Sequence, residues 1–253
     1  MYNKGINFDN AWTHIEMTDL CNCSCIMCEQ SGLLPWQPNP DQIHHSPKGS
    51  MSLDLWKKIL NDFKEFGVKW KEINPFWYGE SLMNPYFKDM MEYLKEFNEK
   101  EKLFKVFQIH TNGNLMDEEK ALTILETTKA FEFSKVFFSV DATTPEKYKA
   151  IRRGGKLETV RKVIIDFLKK KEKYGNVKAI IQFIVMDINK HQTWDFRKEW
   201  EDVLKELKHE YEILTYKEKH KINDWSNKDV IFFEFWQNDN PDKSSALFDE
   251  VEL

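Results

Sequence analysis

Glu16-Met-Thr-Asp-Leu-Cys21-Asn-Cys-Ser-Cys25-Ile-Met-Cys28-Glu29 decides how the rest of the sequence is read. All four cysteines of the 253-residue chain fall within eight consecutive residues, from Cys21 to Cys28. Core cysteines would scatter. A cluster points to thiolate chemistry, and several thiolates in one loop favour a soft ion or an iron–sulfur cluster. A tetrahedral zinc site usually draws two ligands from one knuckle and two from a distant second one. The candidates for that second knuckle, His44 and His45, are adjacent and would point apart. Cys21, Cys25 and Cys28 have the spacing C-x3-C-x2-C. Three thiolates on a short loop can hold three irons of a [4Fe–4S] cube and leave the fourth open to a small molecule. Cys23 is left over, either as a packing residue or as the fourth thiol of a zinc set.

Composition narrows the classes. With 41% hydrophobic and 14% aromatic residues the chain can bury one sizeable core, and α/β barrels of this length commonly form a single domain. A net charge of −5 disfavours nucleic-acid binding through a broad basic face. The lysine run Lys169, Lys170, Lys171 and Lys173 sits with Asp166 and Glu172 on a solvated helical face. No stretch is apolar enough for a membrane span, and residues 1–7 lack the apolar core of a secretory signal. Clustered thiols without such a signal belong in a reducing, cytoplasmic compartment.

Outward from the cysteines, residues 11–17 read as a short strand that delivers the loop. Residues 31–51, with Pro35, Pro38, Pro40 and Pro47, form a long polar loop, either a lid or a surface insertion. Ser52 caps a helix to about Phe66, with Leu55, Ile59 and Phe63 on one face and Gly67 ending it. Strands follow at 73–78, 105–110, 136–140, 177–186 and 211–216. Helices fall at 86–100, 118–128, from Pro145, at 157–174 and at 193–208. Six strand-then-helix beats, the last unfinished, predict an α/β fold: a partial (β/α)6 barrel with parallel strands, open on one side. The core is expected over residues 1–225, followed by a C-terminal extension at 226–253 whose acidic end, 238–253, reads as a mobile tail. Sites on such sheets form at the carboxyl ends of the strands, and the chemistry-bearing residues do follow the strands.

After the second strand comes Tyr78-Gly79-Glu80-Ser81-Leu82-Met83-Asn84-Pro85, where a glycine permits close approach and a carboxylate can accept from an ammonium group. After the third comes His110-Thr111-Asn112-Gly113-Asn114, with His110 either structural or a substrate-side candidate. After the fourth comes Ser139-Val-Asp141-Ala-Thr-Thr144-Pro145-Glu146-Lys-Tyr148, then Ile151-Arg152-Arg153-Gly154-Gly155. Ser139 and Asp141 alternate on the strand end and share one side. Gln182 is a polar residue inside the apolar run 180–185, with either a ligand or a structural partner.

The cysteine spacing, with Glu16-x-Thr18 before it and these turns in this order after it, resembles the radical S-adenosylmethionine (SAM) superfamily. The run from Ser139 to Gly155 is similar to the SPASM/twitch branch, as, more briefly, is His220-Lys-Ile-Asn223-Asp224-Trp225. The resemblance implies that Cys21, Cys25 and Cys28 ligate a [4Fe–4S] cluster. Gly79 and Glu80 would hold the amino group of SAM, above Thr111 and Asn112. Ser139 and Asp141 would hold its ribose, Arg152 or Arg153 its carboxylate, and Met27 would pack near its adenine. Gln182 is a further candidate contact. Ser81 departs from the family's usual proline. The activity implied is reductive cleavage of SAM to a 5′-deoxyadenosyl radical that takes a hydrogen atom from a substrate. An electron donor such as flavodoxin or ferredoxin is implied too. A peptide substrate is the first expectation and a nucleotide or sugar the next. The branch usually ends in a cysteine-rich auxiliary-cluster domain, and residues 226–253 contain no cysteine. The alternative reading is a non-catalytic four-cysteine zinc or interaction module.

Overall fold

The computed structural model describes residues 7–28 and 48–235. The long loop with His44 and His45, apart from its last residues, and the acidic tail 238–253 lie outside the described residues. The main strands are β1 (Asn7–His14), β3 (Lys69–Asn74), β4 (Phe104–Thr111), β5 (Phe133–Ser139), β7 (Val177–Val185), β8 (Tyr211–Thr215) and β9 (Asp229–Phe235). They form one seven-stranded sheet in the order β1-β3-β4-β5-β7-β9-β8. Every pairing in it is parallel. Two short strands, β2 (Ser24–Cys25) and β6 (Arg152–Arg153), pair antiparallel with each other. The helices are α1 (Leu53–Glu65), α2 (Phe87–Glu101), α3 (Glu118–Thr128), α4 (Pro145–Ile151), α5 (Leu157–Lys171) and α6 (Thr193–Glu206).

Local chemistry sets these bounds. The Ser52 hydroxyl accepts from the Leu55 N–H at 3.2 Å and starts α1. Asp117 accepts from the Lys120 N–H at 2.8 Å and starts α3. Thr144 and Pro145 together start α4. Strand β3 lies earlier than the expected 73–78 because Pro75 has no N–H for the ladder. The residues after it bend under the cysteine loop instead. Strand β5 begins earlier than expected because Lys135, a polar break in the sequence, is buried and ion-paired.

The open α/β barrel is as expected, with one correction. Strand β8 is not the last. Residues 229–235, expected in the extension, form β9, which lies between β7 and β8. A buried parallel strand is a continuous apolar run, and Val230-Ile-Phe-Phe233 is one, flanked by Asp229 and Glu234. The alternation of each strand separates two clusters. Phe107, Ile109, Val136, Phe138, Ala179, Ile181, Phe183, Ile231 and Phe233 pack with the helices in the main core. Phe137, Ile180, Val230, Phe232, Leu214 and Ile222 form a second cluster that no α-helix joins. This second face is the concave one. Its lower end is plugged by residues 216–228: Lys135 Nζ donates to Asn223 (2.8 Å), Lys178 Nζ donates to Asp224 (2.7 Å), and Trp225 stacks on Phe133. The weakly matched stretch at 220–225 therefore serves as a plug. Among the described residues no helix is long and apolar enough to cross a membrane.

Candidate active site

The cysteine loop leaves β1 and docks on the turn after β3. Glu16 Oε1 accepts the N–H groups of Tyr78 (2.6 Å) and Gly79 (2.8 Å), and the Leu20 carbonyl accepts from Glu80 (2.8 Å). A Cβ on Gly79 would stand 1.9 Å from the Thr18 carbonyl oxygen. On that side the chain itself comes close, so this position needs a glycine for packing alone. Where the family has proline, the Ser81 hydroxyl donates to the Pro75 carbonyl at 2.7 Å and fixes the turn by other means. Asn84 ties in the carbonyls of Met17 (2.7 Å) and Met51 (3.0 Å).

A second connection docks from the other side. The β2–β6 ribbon sets Ser24 opposite Arg153 and Cys25 opposite Arg152. Gly154, in the left-handed region at φ 97°, would carry a Cβ 2.5 Å from the Asn22 carbonyl oxygen. Arg152 is buried, and its Nε donates to Asp141 Oδ2 at 2.6 Å while Nη1 reaches Cys25 Sγ at 3.6 Å. Arg153 is exposed. The other oxygen of Asp141 accepts from the Ile184 N–H at 2.7 Å, and its main-chain carbonyl accepts from Asn189. Asp141 holds a left-handed φ of 63° and is fully buried. With both carboxylate oxygens engaged, it positions Arg152. Ser139 faces the neighbouring concave surface, where its hydroxyl donates to Gln182 Oε1 at 3.4 Å.

Glu80, Thr111 and Asn112 form the third connection. The buried Glu80 carboxylate accepts from Thr111 Oγ1 (2.9 Å), the Asn112 N–H (2.7 Å) and the Leu82 N–H (3.3 Å). Asn112 Nδ2 continues to Asn22 Oδ1 at 2.8 Å and lies 3.9 Å from Cys21 Sγ. Sequence reasoning passed over Asn114, which binds the Tyr148 hydroxyl at 2.9 Å and lies 3.9 Å from Cys23 Sγ. The spaced asparagines of Asn112-Gly-Asn114 were the available signal. Glu234 was missed as well, although it is the lone charge in the apolar run of β9.

The donors suit a sulfur-ligated group. Cys25 is held down to about 7 by the hydrogen bond with Cys23, against its burial, with help from Arg152. The thiolate is the metal-binding form. Burial pushes Cys21 up to about 11, and the charges of Cys25 and Cys28 add to the rise, so these three thiols lie within electrostatic reach of one another. Cys23, donating to Cys25, is pushed upward. Burial also raises Glu80, whose direct partners are neutral donors. An added ammonium group would offset that cost.

Fold and donor set together define a cofactor-dependent enzyme built on an open parallel barrel. The chain belongs to the Radical SAM superfamily, whose profile matches residues 15–198. Members of that family use a [4Fe–4S] cluster and SAM, and they need a reductant. Membership sets aside the non-catalytic zinc module. A probable GTP 3',8-cyclase of Methanococcus maripaludis is 28% identical over 179 residues, covering 70% of this chain and 51% of that protein. The GTP 3',8-cyclase of Peptoclostridium acidaminophilum is 28% identical over 159 residues, covering 63% and 42%. The chain thus spans about half the length of the curated relatives it matches. Among solved structures, anSMEcpe with bound AdoMet is similar with a TM-score of 0.54 at 18% identity, over 88% of this chain and 49% of that one. Streptococcus suis SuiB bound to precursor peptide SuiA gives 0.53 at 13% identity, over 87% and 48%. At these identities the structures speak to the fold alone.

Proposed function

We propose that this chain is a radical SAM catalyst in which Cys21, Cys25 and Cys28 hold the cluster and the substrate binds on the concave face beneath. When bound, the cluster and SAM together supply a 5′-deoxyadenosyl radical that takes a hydrogen atom from a C–H bond of the substrate. The chain's residues orient the cofactor. Glu80, with the Gly79 backbone, receives the amino group; Thr111 and Asn112 keep Glu80 in place. Arg153, the exposed member of the arginine pair, takes the carboxylate, while Arg152 and Asp141 brace Cys25 from behind. Ser139 and Gln182 offer hydroxyl and amide groups to the ribose, and Met27 offers its thioether to the adenine. The substrate is a peptide or small metabolite, the electron donor a flavodoxin or ferredoxin, and the setting a reducing cytoplasm.

One observation carries this reading. Three separate connections, those after β3, β4 and β5 bearing Glu80, Asn112 and Arg152, each make a direct hydrogen bond to the 20–25 segment. A metal knuckle alone has no use for such a frame. The test is anaerobic reconstitution with iron and sulfide, reduction by dithionite, and mass spectrometry for 5′-deoxyadenosine after adding SAM. About four irons per chain and product are expected. Cys25→Ala should lose both, and Cys23→Ala should keep both. Loss of the cluster in Cys23→Ala would overturn the ligand assignment, and bound zinc without a cluster would overturn the reading.

A further inference from the structure

The concave face carries charge at two levels. At the lower level each lysine is already neutralised: Lys135 Nζ donates to Glu72 at 2.7 Å, and Lys178 to Asp224 at 2.7 Å. At the rim Asp141 is consumed by Arg152. Glu234 stands differently. On β9 it shares a face with Val230 and Phe232, by the two-residue alternation of a strand. Its carboxylate accepts from Gln182 Nε2, and Gln182 in turn accepts from Ser139, so a polar row crosses the ends of β5, β7 and β9. Among the described residues no cation is ion-paired with Glu234. Lys219 acts on it only through space, with its ammonium 4.1 Å from the centre of the Tyr216 ring.

The surroundings are apolar and aromatic. Phe137, Ile180 and Phe232 make an apolar floor below the polar row. One wall is a stack in which His110 lies between Phe76 (4.2 Å) and Phe137 (4.0 Å). Burial pushes the Glu234 carboxyl up, as expected of an acid lacking a countercharge.

We propose that Glu234, oriented by Gln182, anchors a positively charged nitrogen group of the substrate, an ammonium or guanidinium of a peptide-like molecule. The inference rests on the reading that substrate binds on the concave face. The charge balance runs against a nucleoside triphosphate: the two buried lysines of this face, Lys135 and Lys178, are paired, and a carboxylate without an ion-pair partner would repel phosphate. A cationic group would gain the desolvated partner that Glu234 lacks. On this point the chain parts from relatives named for GTP.

The experiment uses the reconstituted protein, loaded with SAM and kept oxidised so that nothing turns over. Anaerobic calorimetry measures binding of acetyl-Ala-Lys-Ala-amide, the same peptide with acetylated lysine, the arginine counterpart, and GTP. The two cationic peptides should bind, with acetylation weakening binding by about tenfold or more, as loss of a desolvated charge pair does. Glu234→Gln should weaken the cationic peptides by a similar factor and leave the acetylated peptide unchanged, which a merely structural role would not do. Glu234→Lys should reverse the preference toward GTP, and thermal melts show whether each variant folds. Equal binding of the lysine peptide by parent and Glu234→Gln would overturn the proposal. So would tight GTP binding by the parent, or no binding of either cationic peptide at millimolar concentration. Iron content and 5′-deoxyadenosine formation by the parent report on the radical SAM reading separately.

Discussion

His110 shows how far one side chain's chemistry is set by its neighbours. Stacked between Phe76 and Phe137, with Gln108 on Nε2 at 3.2 Å, it is pushed from the ordinary 6.5 down to about 3 by burial, then by the charges of Lys135 and His14. The folded protein therefore keeps this imidazole neutral where the unfolded chain would protonate it. The unfolded state binds the extra proton between about pH 6.5 and 3, so the contribution to stability is whole above that window and is lost as pH falls through it. The slope is up to about 1.4 kcal/mol per pH unit. The melting temperature of the parent should drop more steeply from pH 7 to pH 5 than that of His110→Phe, and parallel curves would refute the assignment. At this scale the cysteines were legible because their spacing alone carries chemistry. The role of Asp141 was not, because only the fold reveals that Arg152 and the Ile184 N–H take both of its oxygens.

At the scale of elements, the cysteine loop is an irregular segment made rigid by its contacts. Backbone and side-chain bonds from Glu16, Leu20 and Asn84 fasten it to the turn after β3, the Thr18 hydroxyl ties it to the Gly49 carbonyl, and Gly79 allows the close contact with the turn. In Gly79→Ala the new methyl group would meet a backbone oxygen at 1.9 Å, and neither partner is the end of a flexible side chain. The loop must move by more than an ångström, at a cost of about 1–3 kcal/mol or more. Iron content after reconstitution should fall to near zero while the far-UV circular dichroism stays close to that of the parent. Gly175→Ala, with nothing within 4 Å of the added Cβ, is the matched control and should load iron normally. The motif Gly79-Glu80 was visible in sequence. Its reason was not, since close packing of two chain segments far apart in sequence leaves no trace beyond the glycine itself.

For the whole molecule, alternating strands and helices made the open parallel barrel legible, because buried parallel strands read as apolar runs and three of the six helices open on a capping side chain, Ser52, Asp117 and Thr144. What escaped was β9, since no α-helix lies between β8 and β9 to mark the beat; the crossover is the plug 216–228. The consequence concerns where the core ends. Strand β9 is bonded to β7 on one side and β8 on the other, so its removal leaves β8 without a sheet. Val230, Ile231, Phe232 and Phe233 are all buried there. At about 1.5–3 kcal/mol for each buried side chain, their loss rivals the roughly 5–15 kcal/mol by which a domain is stable. A chain cut after Trp225 should therefore be insoluble or lack cooperative unfolding in urea. A cooperative transition matching that of the parent would mean that β9 is an addition to the barrel rather than part of its frame.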